Sequence, residues 1–216
     1  MRLILLGPPG SGKGTQAKLL SQRLGLEHIG TGDLLREAIR RETPVGLQAR
    51  PFVESGGLVP DPVVNDLIAE RFRRPDRPAK FVMDGYPRTV AQAQAFDEVL
   101  AQAGLPLDVA LLLQVDDAEV IQRLAGRWSC PRPGCKATYH VVSNPPRKAG
   151  VCDECGTPLV QRADDTEATV RARLAVYRRD TAELIPYYRS RGLLADAPGQ
   201  GAIEEIHQGL LGALKR

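Results

Sequence analysis

The sequence predicts an α/β fold: a parallel five-stranded sheet with helices on both faces, and two insertions rising from one edge of the sheet. Two observations predict it. Short apolar runs of strand length alternate with longer segments whose apolar residues recur at helical spacing. The first run, Leu3-Ile4-Leu5-Leu6, also passes directly into Gly7-Pro8-Pro9-Gly10-Ser11-Gly12-Lys13-Gly14-Thr15. That glycine-rich turn opens onto the apolar-periodic residues Ala17, Leu19, Leu20 and Leu24. Strand, turn and helix in immediate succession begin a sheet that binds ligands beyond its strand C-termini.

In chain order, strand-like runs at Leu3–Leu6, Glu27–Ile29, Lys80–Met83, Val109–Val115 and Leu193–Ala195 supply five strands, the second being the weakest. Helical periodicity fills Lys13–Leu24, Leu34–Arg41, Val63–Phe72, Thr89–Ala103, Ala118–Arg127, Ala168–Arg191 and Ile203–Leu214. Pro186 predicts a kink or a break in the longest of these helices. Two stretches fall outside the alternation. Between Gly30 and Pro60, helical pieces follow one another without a strand, interrupted by Pro44, Pro51 and Gly56-Gly57. Between Gly126 and Asp165 there are four cysteines, several prolines and no convincing core strand. The predicted organisation is a core of residues 1–29, 60–125 and 166–216, a flap of 30–59 and a lid of 126–165.

At 216 residues the chain can bury one substantial core and carry insertions too small to fold alone. Hydrophobic content of 43% and charged content of 25% exclude a disordered chain. A net charge of +3 is too small to mark a nucleic-acid binder. Six lysines face twenty-three arginines, but genome composition or thermal adaptation can produce that skew, so only individual arginines carry weight. Met1 and Arg2 lead straight into the first strand, without a signal peptide. No apolar run approaches the ~20 residues of a bilayer span. The expected setting is cytoplasmic and reducing, with no membrane or nucleic-acid partner.

Glycines let backbone N–H groups converge on an anion without Cβ interference, and the helix behind them offers its positive end. Lys13 adds a mobile charge for a β- or γ-phosphate. Gly10, Ser11, Gly12, Lys13, Gly14 and Thr15 are the expected contacts of a nucleoside triphosphate. The general pattern puts Ser or Thr directly after the lysine, where its hydroxyl binds Mg²⁺. Here that place is Gly14, so a carboxylate elsewhere has to hold the metal. Asp84, at the end of the third strand, is the candidate, acting through water because Mg²⁺ keeps much of its hydration. Asp33 fits either the same metal shell or the N-cap of a helix starting at Leu34.

Three further segments join the loop: Gly30-Thr31-Gly32-Asp33-Leu34-Leu35-Arg36, Asp84-Gly85-Tyr86-Pro87-Arg88, and Arg162-Ala163-Asp164-Asp165 followed by Val170-Arg171-Ala172-Arg173-Leu174. In this order and at these intervals the set closely resembles the adenylate kinases of the long-lid bacterial type, over essentially the whole chain. The resemblance implies the P-loop nucleoside monophosphate kinase fold and Mg²⁺-dependent transfer of the ATP γ-phosphoryl group to AMP, giving two ADP. It makes 30–59 an AMP-binding flap and implies a monomer. It assigns AMP to Thr31, Arg36, Gly85, Arg88 and Gln92 and to the backbone at Gly57, Leu58 and Val59. Arg36 and Arg88, on different loops, can grip one monophosphate with two guanidinium forks.

Arg123 and Arg127 lie four apart, hence on one face of the predicted helix leading into the second insertion. By resemblance, Arg123 packs on the ATP adenine, Arg127 contacts the phosphates, and Thr138, Tyr139 and Gly201 complete the ATP site. Arg162 and Arg173 would converge on the transferring group, touching both nucleotides, with Asp164 and Asp165 orienting them. The catalytic set implied is Lys13, Arg88, Arg127, Arg162 and Arg173. An AMP phosphate oxygen is already an anion and needs no general base; His28 and His140 are the only histidines near the motifs. Catalysis then rests on in-line positioning and charge neutralisation. Water is excluded by a closing lid, of which adenylate kinases are an established instance.

Cys130, Cys135, Cys152 and Cys155 all fall in the second insertion, spaced C-x₄-C, sixteen residues, then C-x₂-C. Four thiolates in two close pairs match a closed tetrahedral structural Zn²⁺ site, though the same ligands also take iron. The region resembles the zinc-bearing lid of some adenylate kinases, with two extra residues in the first knuckle. Two other readings stay open: a kinase for UMP or CMP, and a nucleotide-sensing zinc-ribbon regulatory protein. The second lacks interleaved basic and aromatic residues and leaves the Arg36/Arg88 pair unexplained.

Overall fold

The computed structural model describes residues 1–135 and 137–215. Five strands form the main sheet: β1 (Arg2–Leu6), β2 (Glu27–Gly30), β3 (Phe81–Asp84), β4 (Val109–Gln114) and β7 (Leu194–Pro198). They run in the order β2-β3-β1-β4-β7 and every pair is parallel. The predicted sheet is therefore present.

β1 is central because it is apolar on both sides, with Leu3, Ile4, Leu5 and Leu6 at most 3% exposed. Its alternate residues feed two cores. Ile4 and Leu6 join Phe81, Met83 and Phe96 under α4 (Asp61–Arg73), α5 (Val90–Ala103) and α8 (Leu184–Ser190). Leu3 and Leu5 join Leu20, Leu111 and Ile206 under α1 (Lys13–Leu24) and α9 (Ile203–Ala213). Each fully buried Leu or Phe contributes roughly 1.5–3 kcal/mol. Phe72 packs edge-on to Phe81 at 5.2 Å and to Phe96 at 5.5 Å.

The register fixes the site. Leu5 and Gly30 both pair with Asp84, so the loop after β1, the turn after β2 and the end of β3 emerge side by side. The strand order turns back at β1, where open α/β sheets bind ligands. Gln16 in α1 donates to the carbonyl of Ile203 (2.9 Å), tying the helix behind the loop to the start of α9.

Several elements differ from expectation. α2 (Thr31–Arg40) starts three residues earlier than predicted, with Gly30 as N-cap. Asp33 therefore sits in its first turn, where an acid suits the helix dipole, and not at the N-cap position. α3 (Pro44–Ser55) is one continuous helix through Pro51. Pro44 suits its first turn, Thr43 caps it by accepting from Gly46 N–H (3.1 Å), and Pro51 and Leu47 both face solvent. α2 and α3 approach closely at Gly46, where a Cβ would lie 2.1 Å from the Ala38 carbonyl oxygen.

α6 (Asp117–Ala125) ends before Arg127, so Arg123 and Arg127 do not share a helix face. A Cβ at Gly126 would meet the His140 ring at 2.4 Å; the chain turns there into β5 (Arg127–Ser129), paired antiparallel with β6 (Thr138–His140). Neither strand joins the main sheet. The long helix is divided, but upstream of Pro186. α7 (Glu167–Val176) runs into a π turn (Tyr177–Thr181) closed by Ala182 N–H donating to Tyr177 O at 2.8 Å. Pro186 falls in the first turn of α8, where its missing N–H costs little.

Candidate active site

Lys13 begins α1, and Gly12, the N-cap before it, takes a left-handed φ of 91°. Gly10 is also left-handed, and a Cβ there would strike Leu124 at 2.8 Å. The Lys13 ammonium curls back into the loop, donating to the carbonyls of Gly7 and Pro8 (both 2.7 Å) and to Ser11 Oγ (3.3 Å). Burial pushes it down to about 8; Asp84 opposes that shift, while Arg88, Arg173 and Arg127 add to it. Thr15 is exposed one residue past Gly14. Arg123, held by Glu119 (2.7 Å), reaches the Ser11 carbonyl from the outside (3.5 Å).

Gly14 faces the carboxylate of Asp84: a Cβ would lie 3.3 Å from Oδ2. The missing hydroxyl and the acid thus occupy neighbouring positions, as the sequence predicted. Burial raises Asp84, but His28 and the Lys13 ammonium outweigh it and hold the carboxyl below its usual range. The His28 Nε2 atom lies 3.8 Å from Asp84 Oδ2. An ionised acid beside the loop fits a hydrated Mg²⁺.

A second cleft opens between α2, α3 and the turn after β3. Thr31, Arg36, Gly57, Leu58, Val59, Gly85, Arg88, Gln92 and Arg173 all line it. Leu35, and Val53 and Val64, which no motif marked, give it an apolar wall. Arg36 is steadied by Asp33 (2.6 Å) and Arg88 by the Gly85 carbonyl (2.8 Å). Thr31 Oγ1 donates to Asp84 O at 3.3 Å. Burial lowers Arg88 to about 10; Arg173 and Arg36 add to that and Asp84 opposes it. The Gln92 amide accepts from Arg88 N–H and donates to Asp61 Oδ1, each at 2.7 Å.

Between loop and cleft sit the remaining arginines. Asp165, whose side chain is fully buried, accepts from Arg127 Nε (2.8 Å) and from Arg173 (3.3 Å). Arg173 also donates to the Asp164 carbonyl (3.0 Å) and carboxylate (3.2 Å). Arg162 donates to Ser129 Oγ (2.9 Å), and burial, then Arg36 and Arg127, lower it to about 10. Asp164 and Asp165 thus orient Arg173, and Asp165 orients Arg127. Arg162 is outside the cleft lining but within the electrostatic reach of Arg36.

All four cysteine Sγ atoms lie within 4.8 Å of one another. Cys130 approaches Cys155 at 3.4 Å and Cys135 approaches Cys152 at 3.7 Å. Thiolates at about 2.3 Å from a tetrahedral Zn²⁺ stand about 3.8 Å apart, so these ligands fit a metal, and the longer knuckle still brings Cys130 and Cys135 into the cluster. The Thr157 hydroxyl and backbone hold Cys155 down to about 6. Tyr139, expected to face a nucleotide, turns inward instead: its hydroxyl accepts from Asp153 N–H (2.8 Å) beside Cys152 Sγ (3.7 Å). Thr138, the preceding residue on the strand, is half-buried and lies on the opposite face, so it and the Tyr139 backbone remain for an outward contact. Gly201 stands at a φ of 114°, two residues before the Ile203 carbonyl that Gln16 holds.

The family model for adenylate kinase matches residues 5–193. The chain belongs to the adenylate kinase family. An adenylate kinase of Moorella thermoacetica is 53% identical over 206 residues, 95% of this chain and 94% of that one. One from Trichlorobacter lovleyi is 50% identical over 214 residues, 99% of each chain, and one from Citrifermentans bemidjiense 49% over 215, 100% of each. An adenylate kinase catalyses ATP:AMP phosphotransfer, which calls for two neighbouring phosphate sites; here the loop and the second cleft both adjoin Asp84, through Gly14 and Thr31.

Beyond the apolar wall, three polar residues have roles that the sequence did not single out. His28 was noted only as a histidine near the motifs; its place opposite Asp84 follows from strand register. Asp61 lies just outside the helix predicted from Val63, and Gln16 is one more residue of the helix predicted from Lys13. Each acquires its partner from a distant segment, and no local pattern announces that.

Proposed function

We propose that the chain transfers the γ-phosphoryl group of ATP to AMP, reversibly, using the loop for ATP and the second cleft for AMP. One observation carries this reading: Arg88 and Arg173 line the second cleft and, with Arg127, stand close enough to the loop for their charges to bear on Lys13. Between loop and cleft is where an in-line transfer accumulates negative charge. Gly10 through Thr15 cradle the ATP phosphates, and Arg123, Gly201 and backbone at Thr138 and Tyr139 hold its remainder. Arg36 and Arg88 grip the AMP phosphate, Gln92 reads its base, and Arg162 and Arg173 bear on the group in transit. Asp84 holds Mg²⁺ through water; the metal, when bound, neutralises phosphate charge and fixes its orientation.

Residues 126–165 act as a lid that excludes water, and 30–59 as a flap over AMP. The cysteine cluster holds Zn²⁺ structurally, since four protein ligands leave no position for a reactive water. No helix among the described residues is long and apolar enough to cross a membrane, and free nucleotides are the substrates; both support a cytoplasmic enzyme. Both clefts are built within one chain, which supports a monomer.

A coupled assay for ADP, run with ATP and each of AMP, UMP and CMP, tests the reading, with metal analysis on the same sample. AMP is expected to be turned over with much the highest kcat/KM. Preference for UMP or CMP, or no ADP at all, would overturn it.

A further inference from the structure

We infer that Asp61 sets the base specificity of the second cleft, by fixing which end of the Gln92 amide is donor and which is acceptor. This rests on Gln92 as the base-reading residue. Gln92 lines the cleft from the first turn of α5 and is only 2% exposed. Its Oε1 accepts from the backbone N–H of Arg88 and its Nε2 donates to Asp61 Oδ1, both at 2.7 Å. A backbone N–H can only donate and an ionised carboxylate can only accept. Turning the amide over would set oxygen against carboxylate and NH₂ against N–H. Two hydrogen bonds would become two repulsions.

Asp61 is itself fixed. Its other oxygen accepts from the Thr89 hydroxyl (2.7 Å), and Thr89 Oγ1 in turn accepts from the Gln92 backbone N–H (3.1 Å). The start of α4, the cap of α5 and the amide form one closed network, so the amide direction is decided before any ligand arrives.

What remains to a ligand is one lone pair on Oε1 and one N–H on Nε2. Adenine offers the matching order on either edge, an exocyclic N6 amine beside the N1 or N7 acceptor. A 6-oxopurine puts an acceptor, O6, where adenine has its donor. The fixed amide therefore accepts adenine and refuses hypoxanthine and guanine, because the wrong base leaves buried polar atoms unpaired. A reversed amide would favour the oxopurine at the N1 edge. Asp61 is a positioning residue, acting through Gln92 without touching the base.

The test measures kcat/KM for AMP and for IMP, with ATP as donor, in wild type, Asp61→Asn, Asp61→Glu, Gln92→Ala and the Asp61→Asn/Gln92→Ala double variant. Asparagine can face Gln92 with either end of its own amide, so Asp61→Asn should lower the AMP/IMP ratio about tenfold. Asp61→Glu keeps an acceptor-only partner and should retain the ratio. On the Gln92→Ala background, Asp61→Asn should leave the ratio where it is. A purely structural Asp61 would depress AMP and IMP alike; an unchanged ratio in Asp61→Asn, with Gln92→Ala impaired, overturns the role of Asp61 alone. An unchanged ratio in Gln92→Ala overturns the base-reading role beneath it.

Discussion

Lys13 keeps its charge inside a loop that binds the ammonium with its own carbonyls, and burial brings its proton affinity down to about 8. Phosphates arriving at the loop favour the ammonium and raise that value. The protein should therefore take up protons as ATP binds near pH 8, and far fewer below pH 7, where Lys13 is already charged. Calorimetry in two buffers of different ionisation enthalpy would read this, and Lys13→Met should abolish it. Unfolded, the group titrates near its ordinary 10.5, so between about 8 and 10.5 the unfolded chain binds more protons and this group's effect is a stability that rises with pH. At this scale the loop was legible from its own residues, and the arginines through the resemblance of their motifs to a known family. Tyr139 was not: whether a strand residue faces out or into a cysteine cluster depends on what packs behind it.

Helices α2 and α3 show what the sequence carries at the next scale. Periodicity and prolines announced helices between Gly30 and Pro60 but read Pro51 as an interruption, since exposure of the Leu47 carbonyl cannot be seen locally. Likewise Pro186 marked the right helix for division, while the π turn absorbs the irregularity nine residues earlier, at Tyr177. The close approach at Gly46 makes a sharp test. Alanine there would force its Cβ into the Ala38 carbonyl, which lies 2.1 Å from the ideal position. Gly46→Ala should cost about 1–3 kcal/mol and lower Tm by several degrees. Because α2 carries Arg36 and α3 leads to Gly57, it should also raise KM for AMP more than KM for ATP. Steady-state kinetics beside a thermal melt would check both.

For the whole molecule, the sheet was legible because buried parallel strands read as apolar runs, and residues 126–165 because their cysteines stand outside that rhythm. The small core there consists of Ala137, Tyr139, Cys152 and Leu159, with Trp128 against it. So few buried side chains cannot hold a segment of this length, and on the proposed reading metal–thiolate bonds would supply what is missing. Chelation, or Cys152→Ser, should lower Tm by several degrees and leave kcat within a few-fold. An unchanged melt after metal loss, confirmed by metal analysis, would remove the structural metal from the account. One junction has a mechanical meaning as well. Arg127 stands at the start of this segment, Asp165 ends it, and the two are clasped, with Arg173 on the same carboxylate. Pinched together at its base and, on the proposed reading, cross-linked by a metal at its far end, such a piece would have little freedom to bend. It would swing as a lever on a single pivot, a small rotation at Asp165 becoming a wide sweep at the tip.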